Sequence, residues 1–189
     1  MIRIGILGEI GSGKTFVSKV FGYPVFNADY EVSKLYKKDK KIFKKLKKKL
    51  PKHISSFPIN KSEITKAILS NKVNLKKIIT IVHLEIRKIL KLFLKKNRNK
   101  KVIILDIPLL LENKINNKED ILVFVDSKKV EIEKRLKKRL NYNRKLINKF
   151  KKIQFSSYYK KRRSNFIIKN NFKKRSLNKS INKILNEIL

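Results

Sequence analysis

The chain has 189 residues, 41% of them hydrophobic, enough for one domain with a real core and room for an inserted subdomain. Its 51 Lys and Arg against 14 Asp and Glu give a formal net charge of +37, and the absence of cysteine excludes disulfides, thiolate metal sites and cysteine nucleophiles. No apolar run reaches the roughly 18–20 residues of a bilayer-spanning helix, and the first apolar segment gives way to Gly8 and Glu9 too soon for a signal peptide, so a cytoplasmic chain with no membrane partner is expected.

Ile2 to Leu7 reads as a buried first strand. It feeds Gly8-Glu9-Ile10-Gly11-Ser12-Gly13-Lys14-Thr15, which satisfies G-x-x-x-x-G-K-[ST]. That spacing lets glycines curl the backbone so that successive N–H groups point at phosphates, with the positive end of the following helix behind them. Lys14 then reaches the β and γ phosphates, and Thr15 offers a hydroxyl to the bridging Mg²⁺. A glycine-rich turn before a chance lysine is the plainer alternative. All 5 glycines (Gly5, Gly8, Gly11, Gly13, Gly22) nevertheless fall in the first 22 residues, where such a loop needs them.

A helix over Lys14 to Phe21 places Phe16, Val17 and Val20 inward. Tyr23 to Phe26 reads as a second strand ending in Asn27-Ala28-Asp29, so Asp29 stands where open α/β sheets bind ligands, though a helix N-cap role fits it too. One helix is expected from Tyr30 to about Leu50, stopped by Pro51, then a loop over His53 to Pro58 and a helix from Ser62 to Ser70. Leu75, Ile78, Ile79, Val82, Ile86, Ile89, Leu90 and Phe93 give a further helix over about Val73 to Leu94 one apolar face. Val102 to Leu105 is a strand ending at Asp106, and a hydrophobic strand capped by an acidic residue is the second standard element of a phosphate-loop protein, although a turn residue would look alike. Ile121 to Val125 is a fourth strand. A long basic helix from about Lys128 carries Arg135 and Arg139 one turn apart, and a charged helix is expected over Lys145 to Arg163. Phe166 to Ile168 is a fifth strand before Asn170-Asn171, and the last helix packs through Leu177, Ile181, Ile184, Leu185 and Ile188. The alternation implies a three-layer α/β fold with a five-stranded parallel sheet.

The loop, the Asn-Ala-Asp strand end, Val82-His83, Asp106-Ile107-Pro108-Leu109-Leu110-Leu111-Glu112 and Asn170-Asn171, in that order, resemble dephospho-CoA kinases nearly end to end. The resemblance implies a P-loop NTPase fold over a single domain, 1–189. Residues 1–50 and 100–137 would form the nucleotide-binding core, 51–99 a helical acceptor-binding insertion, 138–157 a helical lid, and 158–189 the final strand and helix. It implies ATP-dependent phosphorylation of the ribose 3′-hydroxyl of dephospho-CoA, with Mg²⁺, giving CoA and ADP as the last step of coenzyme A synthesis. Gly8, Gly11, Ser12, Gly13, Lys14, Thr15 and Phe16 would hold ATP, with Arg139 and Asn170. Asp29 would accept the 3′-hydroxyl proton, and Arg135 would steady the transferring phosphoryl. His83, Pro108, Leu109 and Leu110 would face the acceptor with Asp29, and Thr15 and Asp106 would serve Mg²⁺.

Each assignment has a plain structural rival: a solvated helix face for Arg135 and Arg139, packing for His83, core for Pro108 to Leu110, and turn chemistry for Asn170 and Asn171. Four sites depart from the family pattern: Glu9 for a glycine, Asn27 for an aspartate, Leu84 for a proline, and Ser164-Asn165 for Ala-Asp. The positive charge is spread through nearly every segment among Asn and Ile rather than gathered into a stripe with stacking aromatics. It reads as compositional bias that attracts anionic substrates, with no specific nucleic-acid partner and a monomer or small homo-oligomer expected. The rival functions are another small nucleoside or nucleotide kinase and an ATP-dependent nucleic-acid-binding protein.

Overall fold

A computed structural model describes residues 1–140 and 142–189. Its contacts divide the chain into two compact units, Met1–Asn27 with Asn97–Leu189, and Ala28–Lys96.

The first unit is built on five parallel strands in the order β2-β3-β1-β4-β5: β1 (Ile2–Gly8), β2 (Val25–Asn27), β3 (Val102–Asp106), β4 (Ile121–Asp126) and β5 (Phe166–Lys169). Central strands of a parallel sheet are covered on both faces, which is why β1, β3 and β4 read as continuous apolar runs without alternation. On one face Ile4, Ile6, Ile104, Val123 and Val125 pack with Val17 and Phe21 of helix α1 (Lys14–Val20) and with Leu177, Ile181 and Ile184 of helix α9 (Lys174–Ile188). Each such fully buried side chain contributes about 1.5–3 kcal/mol. On the other face Leu110 lies against Gly5, where an added Cβ would come within 2.5 Å of its Cδ2.

Three further helices of this unit follow β4: α6 (Lys129–Lys137), α7 (Arg144–Lys152) and α8 (Ser157–Arg162). The single helix expected over Lys145 to Arg163 is therefore two. The break has a cause, because the Ser156 hydroxyl accepts from the Tyr159 N–H and starts a new helix. Likewise α6 ends at Lys137, so Arg139 lies beyond its C-cap and does not share a helical face with Arg135. Of the expected lid, 138–157, position 141 lies outside the described residues.

The second unit is helical: α2 (Ala28–Lys38), α3 (Lys40–Lys49), α4 (Lys61–Ser70) and α5 (Lys72–Lys96). The contacts thus join α2 and α3 to the helical unit, which starts at Ala28. The helix expected from Tyr30 to Leu50 is interrupted at Asp39, whose carboxylate accepts from the Lys41 and Ile42 N–H groups and caps α3. Similarly, α4 begins at Lys61 because Asn60 and Glu63 form a reciprocal capping box. Helix α5 buries Leu75, Ile78, Val82, Ile86 and Leu90, the stripe its periodicity predicts. Among the described residues no helix is long and apolar enough to cross a membrane.

Candidate active site

The site is built at the carboxyl end of β1. Gly13 is the N-cap of α1 at φ +89, and a Cβ there would meet Asn170 Nδ2 at 2.5 Å and the Phe172 ring at 2.8 Å. Only glycine satisfies both the left-handed backbone and the close approach. No side chain among the described residues caps α1, so the amides of its first turn are open to an anion. The Ser12 hydroxyl, in a residue 1% exposed, is buried without a hydrogen-bond partner among the described residues. An orphaned donor in an amide-lined loop suits phosphate oxygens. Lys14 reaches back over the loop, its Nζ donating to the carbonyls of Gly8 at 3.1 Å and Glu9 at 2.8 Å. Phe16 packs, partly buried, on the sheet-facing core.

Two strands away the backbone register sets Asn27 beside Asp106. Asp106 is buried, and one of its oxygens accepts from Thr15 Oγ1 at 2.6 Å and from Asn27 Nδ2 at 2.5 Å. The departure to Asn27 therefore places a neutral donor beside a buried carboxylate, where an aspartate would have set two like charges together. A hydroxyl and one carboxylate are hard oxygen ligands, the partial set with which proteins hold Mg²⁺ alongside phosphates and water. The donor chemistry fits that ion.

Asn170 is 4% exposed and closes the loop from the β5 side. Its Nδ2 donates to the Ser12 carbonyl at 2.8 Å, its Oδ1 accepts from the Phe172 N–H at 2.8 Å, and its own N–H donates to the Asp126 carbonyl at 2.7 Å. Ser127 Oγ donates to the same Ser12 carbonyl at 2.8 Å. Asn171 instead accepts from the Lys173 N–H and the Ser176 hydroxyl at the start of α9. The guanidinium of Arg135 lies 4.0 Å above the Phe172 ring, which itself packs on Gly13, so a planar cation is held beside the loop rather than left free on a helix face. Arg139 is exposed in the turn after α6.

Pro108 is half-buried after β3, while Leu109 and Leu110 are buried. In the helical unit, Asp29 is the second residue of α2 and sits in its acidic first turn. Its neighbour in sequence, Ala28, is buried. His83 is half-buried on α5, next to the inward Val82, and burial together with the nearby Arg87 charge holds its pKa below the ordinary 6.5. Leu84 is 58% exposed, so the change from proline meets no packing constraint. Asn165 is used: its N–H and Oδ1 pair with the carbonyl and N–H of Leu122, each at 2.8 Å, joining β5 to β4.

The motif reading missed several residues that this geometry employs. Ser127 and Phe172 carry no motif signal. Asn27 does, since its place at a strand end beside the Asp106 strand marks it as a polar group at the ligand edge.

Residues 2–175 match the family model described as dephospho-CoA kinase. The chain belongs to that family. A dephospho-CoA kinase of Wolbachia pipientis wMel is 35% identical over 170 residues, covering 87% of each chain. Among solved structures, a crystal structure from Thermus thermophilus covers 100% of this chain and 98% of its own with a TM-score of 0.80 and 25% identity. The dephospho-CoA kinase of Campylobacter jejuni covers 98% and 96% with a TM-score of 0.61 and 19% identity, a likeness of fold.

Proposed function

We propose that the protein transfers the γ-phosphoryl group of ATP to the ribose 3′-hydroxyl of dephospho-CoA, releasing CoA and ADP in the cytoplasm. What supports this most is the extent of the family match, residues 2–175, which takes in the acceptor-side segments as well as the phosphate loop.

Phosphoryl transfer asks little covalent work of a protein, so catalysis rests on alignment and on neutralising charge. The loop amides from Gly8 to Thr15 bind the phosphates, and Lys14 leaves the loop carbonyls to follow the charge as it moves to the β–γ bridge. Arg135, stacked on Phe172, pairs with phosphate oxygens, and Arg139 closes from the turn beyond α6. Asp29 accepts the proton as the 3′-oxygen bonds to the γ-phosphorus and the bond from phosphorus to the bridging oxygen breaks. Thr15 and Asp106 would hold Mg²⁺, which when bound offsets the negative charge of the β and γ phosphates. His83, Pro108 and Leu109 border the acceptor, with Leu110 packing the segment from beneath. Asn170 fixes the loop's shape at the nucleotide end. The segment 138–157 closes over ATP and keeps water from the γ-phosphate.

A panel of acceptors with a coupled ADP readout tests the reading. Dephospho-CoA should be turned over with MgATP. Rapid turnover of a nucleoside monophosphate with none of dephospho-CoA would overturn it, as would ATP hydrolysis stimulated by RNA or DNA above physiological salt.

A further inference from the structure

Glu9 departs from the glycine that the family resemblance leads one to expect, and a carboxylate at the rim of a phosphate loop needs a reason. The structure supplies one. Glu9 Oε1 accepts from the Ser157 hydroxyl, the first residue of α8, at 2.7 Å. Its backbone carbonyl meanwhile accepts from Lys14 Nζ at 2.8 Å and from the Ser12 N–H at 3.2 Å. One residue thus touches the loop's lysine on one side and the segment after α7 on the other. It also lines a cavity of about 380 Å³ with Ile10, Gln154, Phe155 and Ser156.

The neighbourhood of Ser157 is anchored. A single oxygen of Glu112, Oε1, accepts both the Phe155 N–H at 2.8 Å and the Lys160 ammonium at 2.9 Å, and Lys160 is 2% exposed. Helix α7 differs, because none of its residues is buried. An anchored segment therefore meets, at residues 153–156, a helix with no fully buried residue.

We propose that Glu9 is a positioning residue that latches the phosphate loop to the root of the lid through Ser157. The proposal rests on the kinase reading given above. The latch is a charge-assisted hydrogen bond, and it ties the pivot of α7 to the loop that carries the triphosphate. Closure of the lid then occurs about a point registered to the γ-phosphate. Without the latch the pivot drifts and water reaches the site. A water oxygen then bonds to the γ-phosphorus while the bond to the bridging oxygen breaks, giving ADP, inorganic phosphate and a proton.

The test measures ADP formed with and without dephospho-CoA, alongside CoA produced, for the wild type, Glu9→Gly, Glu9→Gln, Ser157→Ala and the Glu9→Gly/Ser157→Ala double variant. Melting curves confirm that each is folded. Glu9→Gly and Ser157→Ala should each raise acceptor-independent ADP release relative to transfer on the order of tenfold, the worth of one charge-assisted hydrogen bond. The double variant should be no worse than either single one. Glu9→Gln keeps an acceptor for Ser157 but loses the charge that strengthens the bond, so it should fall between the wild type and Glu9→Gly. If Glu9→Gln behaves like Glu9→Gly, the effect is one of charge beside phosphate and the latch is wrong. Unchanged coupling in Glu9→Gly or Ser157→Ala also overturns it. A wild type that leaves dephospho-CoA untouched overturns the kinase reading itself, a distinct outcome.

Discussion

Replacing Lys160 by Met tests the reasoning about the anchored helix most sharply. Lys160 and Glu112 form an ion pair at 2.9 Å with side chains 3% and 8% exposed, and Glu112 Oε2 is buried with no hydrogen-bond partner among the described residues. Methionine keeps the stem as far as the ε position, so the main loss is the cation that offsets a desolvated carboxylate. Removing one partner of a buried pair costs about 3–5 kcal/mol, because the remaining charge stays uncompensated. For a chain of this size that is a fall in melting temperature of roughly 6–20 °C, at about 2–4 °C per kcal/mol. The double variant Lys160→Met/Glu112→Gln removes the stranded charge and keeps an acceptor for the Phe155 N–H, so it should regain most of the loss. Thermal and urea unfolding followed by circular dichroism would measure both. A Lys160→Met variant within about 1 kcal/mol of wild type would show that the pair is not buried as described. A double variant no better than the single would show that the loss is packing and not charge.

Other outcomes follow from the site. Lys14→Ala should lower kcat by roughly 10²–10³-fold or more with the melting temperature unchanged, and full residual activity would reject the phosphate loop as the site. Asp29→Asn should cost about 10²–10⁴-fold in kcat with little effect on KM for ATP if Asp29 is the proton acceptor proposed above and not a phosphate ligand; an unaltered kcat would return Asp29 to a role in the first turn of α2. Asn170→Ala strands the Phe172 N–H and takes one donor from the Ser12 carbonyl, which should destabilise the protein by about 2–4 kcal/mol and raise KM for ATP, and calorimetry with initial-rate kinetics checks both. For His83, burial and the Arg87 charge lower the pKa in the fold, so the stability given by the neutral ring is present above the ordinary 6.5 and is lost as pH falls from there through the lowered value. His83→Gln should flatten that dependence below the ordinary 6.5, and equal slopes for both proteins there would contradict it.

The strands and the loop were legible because their signals are local. A run of Ile, Val and Leu ending in Gly8 or Asp106 carries its own beginning and end, and only a buried parallel strand suits it. Helix boundaries were less legible wherever a polar side chain replaced a helical hydrogen bond. Asp39 and Ser156 each break a stretch whose periodicity runs on, and each acts through a single side-chain oxygen that hydropathy patterns do not register. The contacts that shape the site lie furthest from sequence reading, because they join distant segments. Ser127 and Asn170 converge on one carbonyl of Ser12, and Phe172 supports Arg135. Glu9 was legible as a departure from the family, but its partner stands 148 positions away.

The charge follows from the same geometry. In α3 the segment KKIFKKLKKK buries only Ile42 and Leu46, and its lysines occupy the remaining faces. A helix of that kind needs two inward apolar side chains per few turns and tolerates lysine elsewhere, because the long side chain lays its methylenes on the surface and keeps its ammonium in water. Acidic residues, in contrast, are placed. Glu85 bonds Lys45 and Lys88, Asp126 bonds Lys161, and Asp120 binds Arg3 at the amino-terminal end of the central strands. Where carboxylates are scarce, those that are paired become fixed points of the structure, while lysines on exposed helix faces can vary without disturbing it. That asymmetry explains how so basic a chain retains its fold: Asp106 accepts from Thr15 and Asn27, and Glu112 from the Phe155 N–H and Lys160.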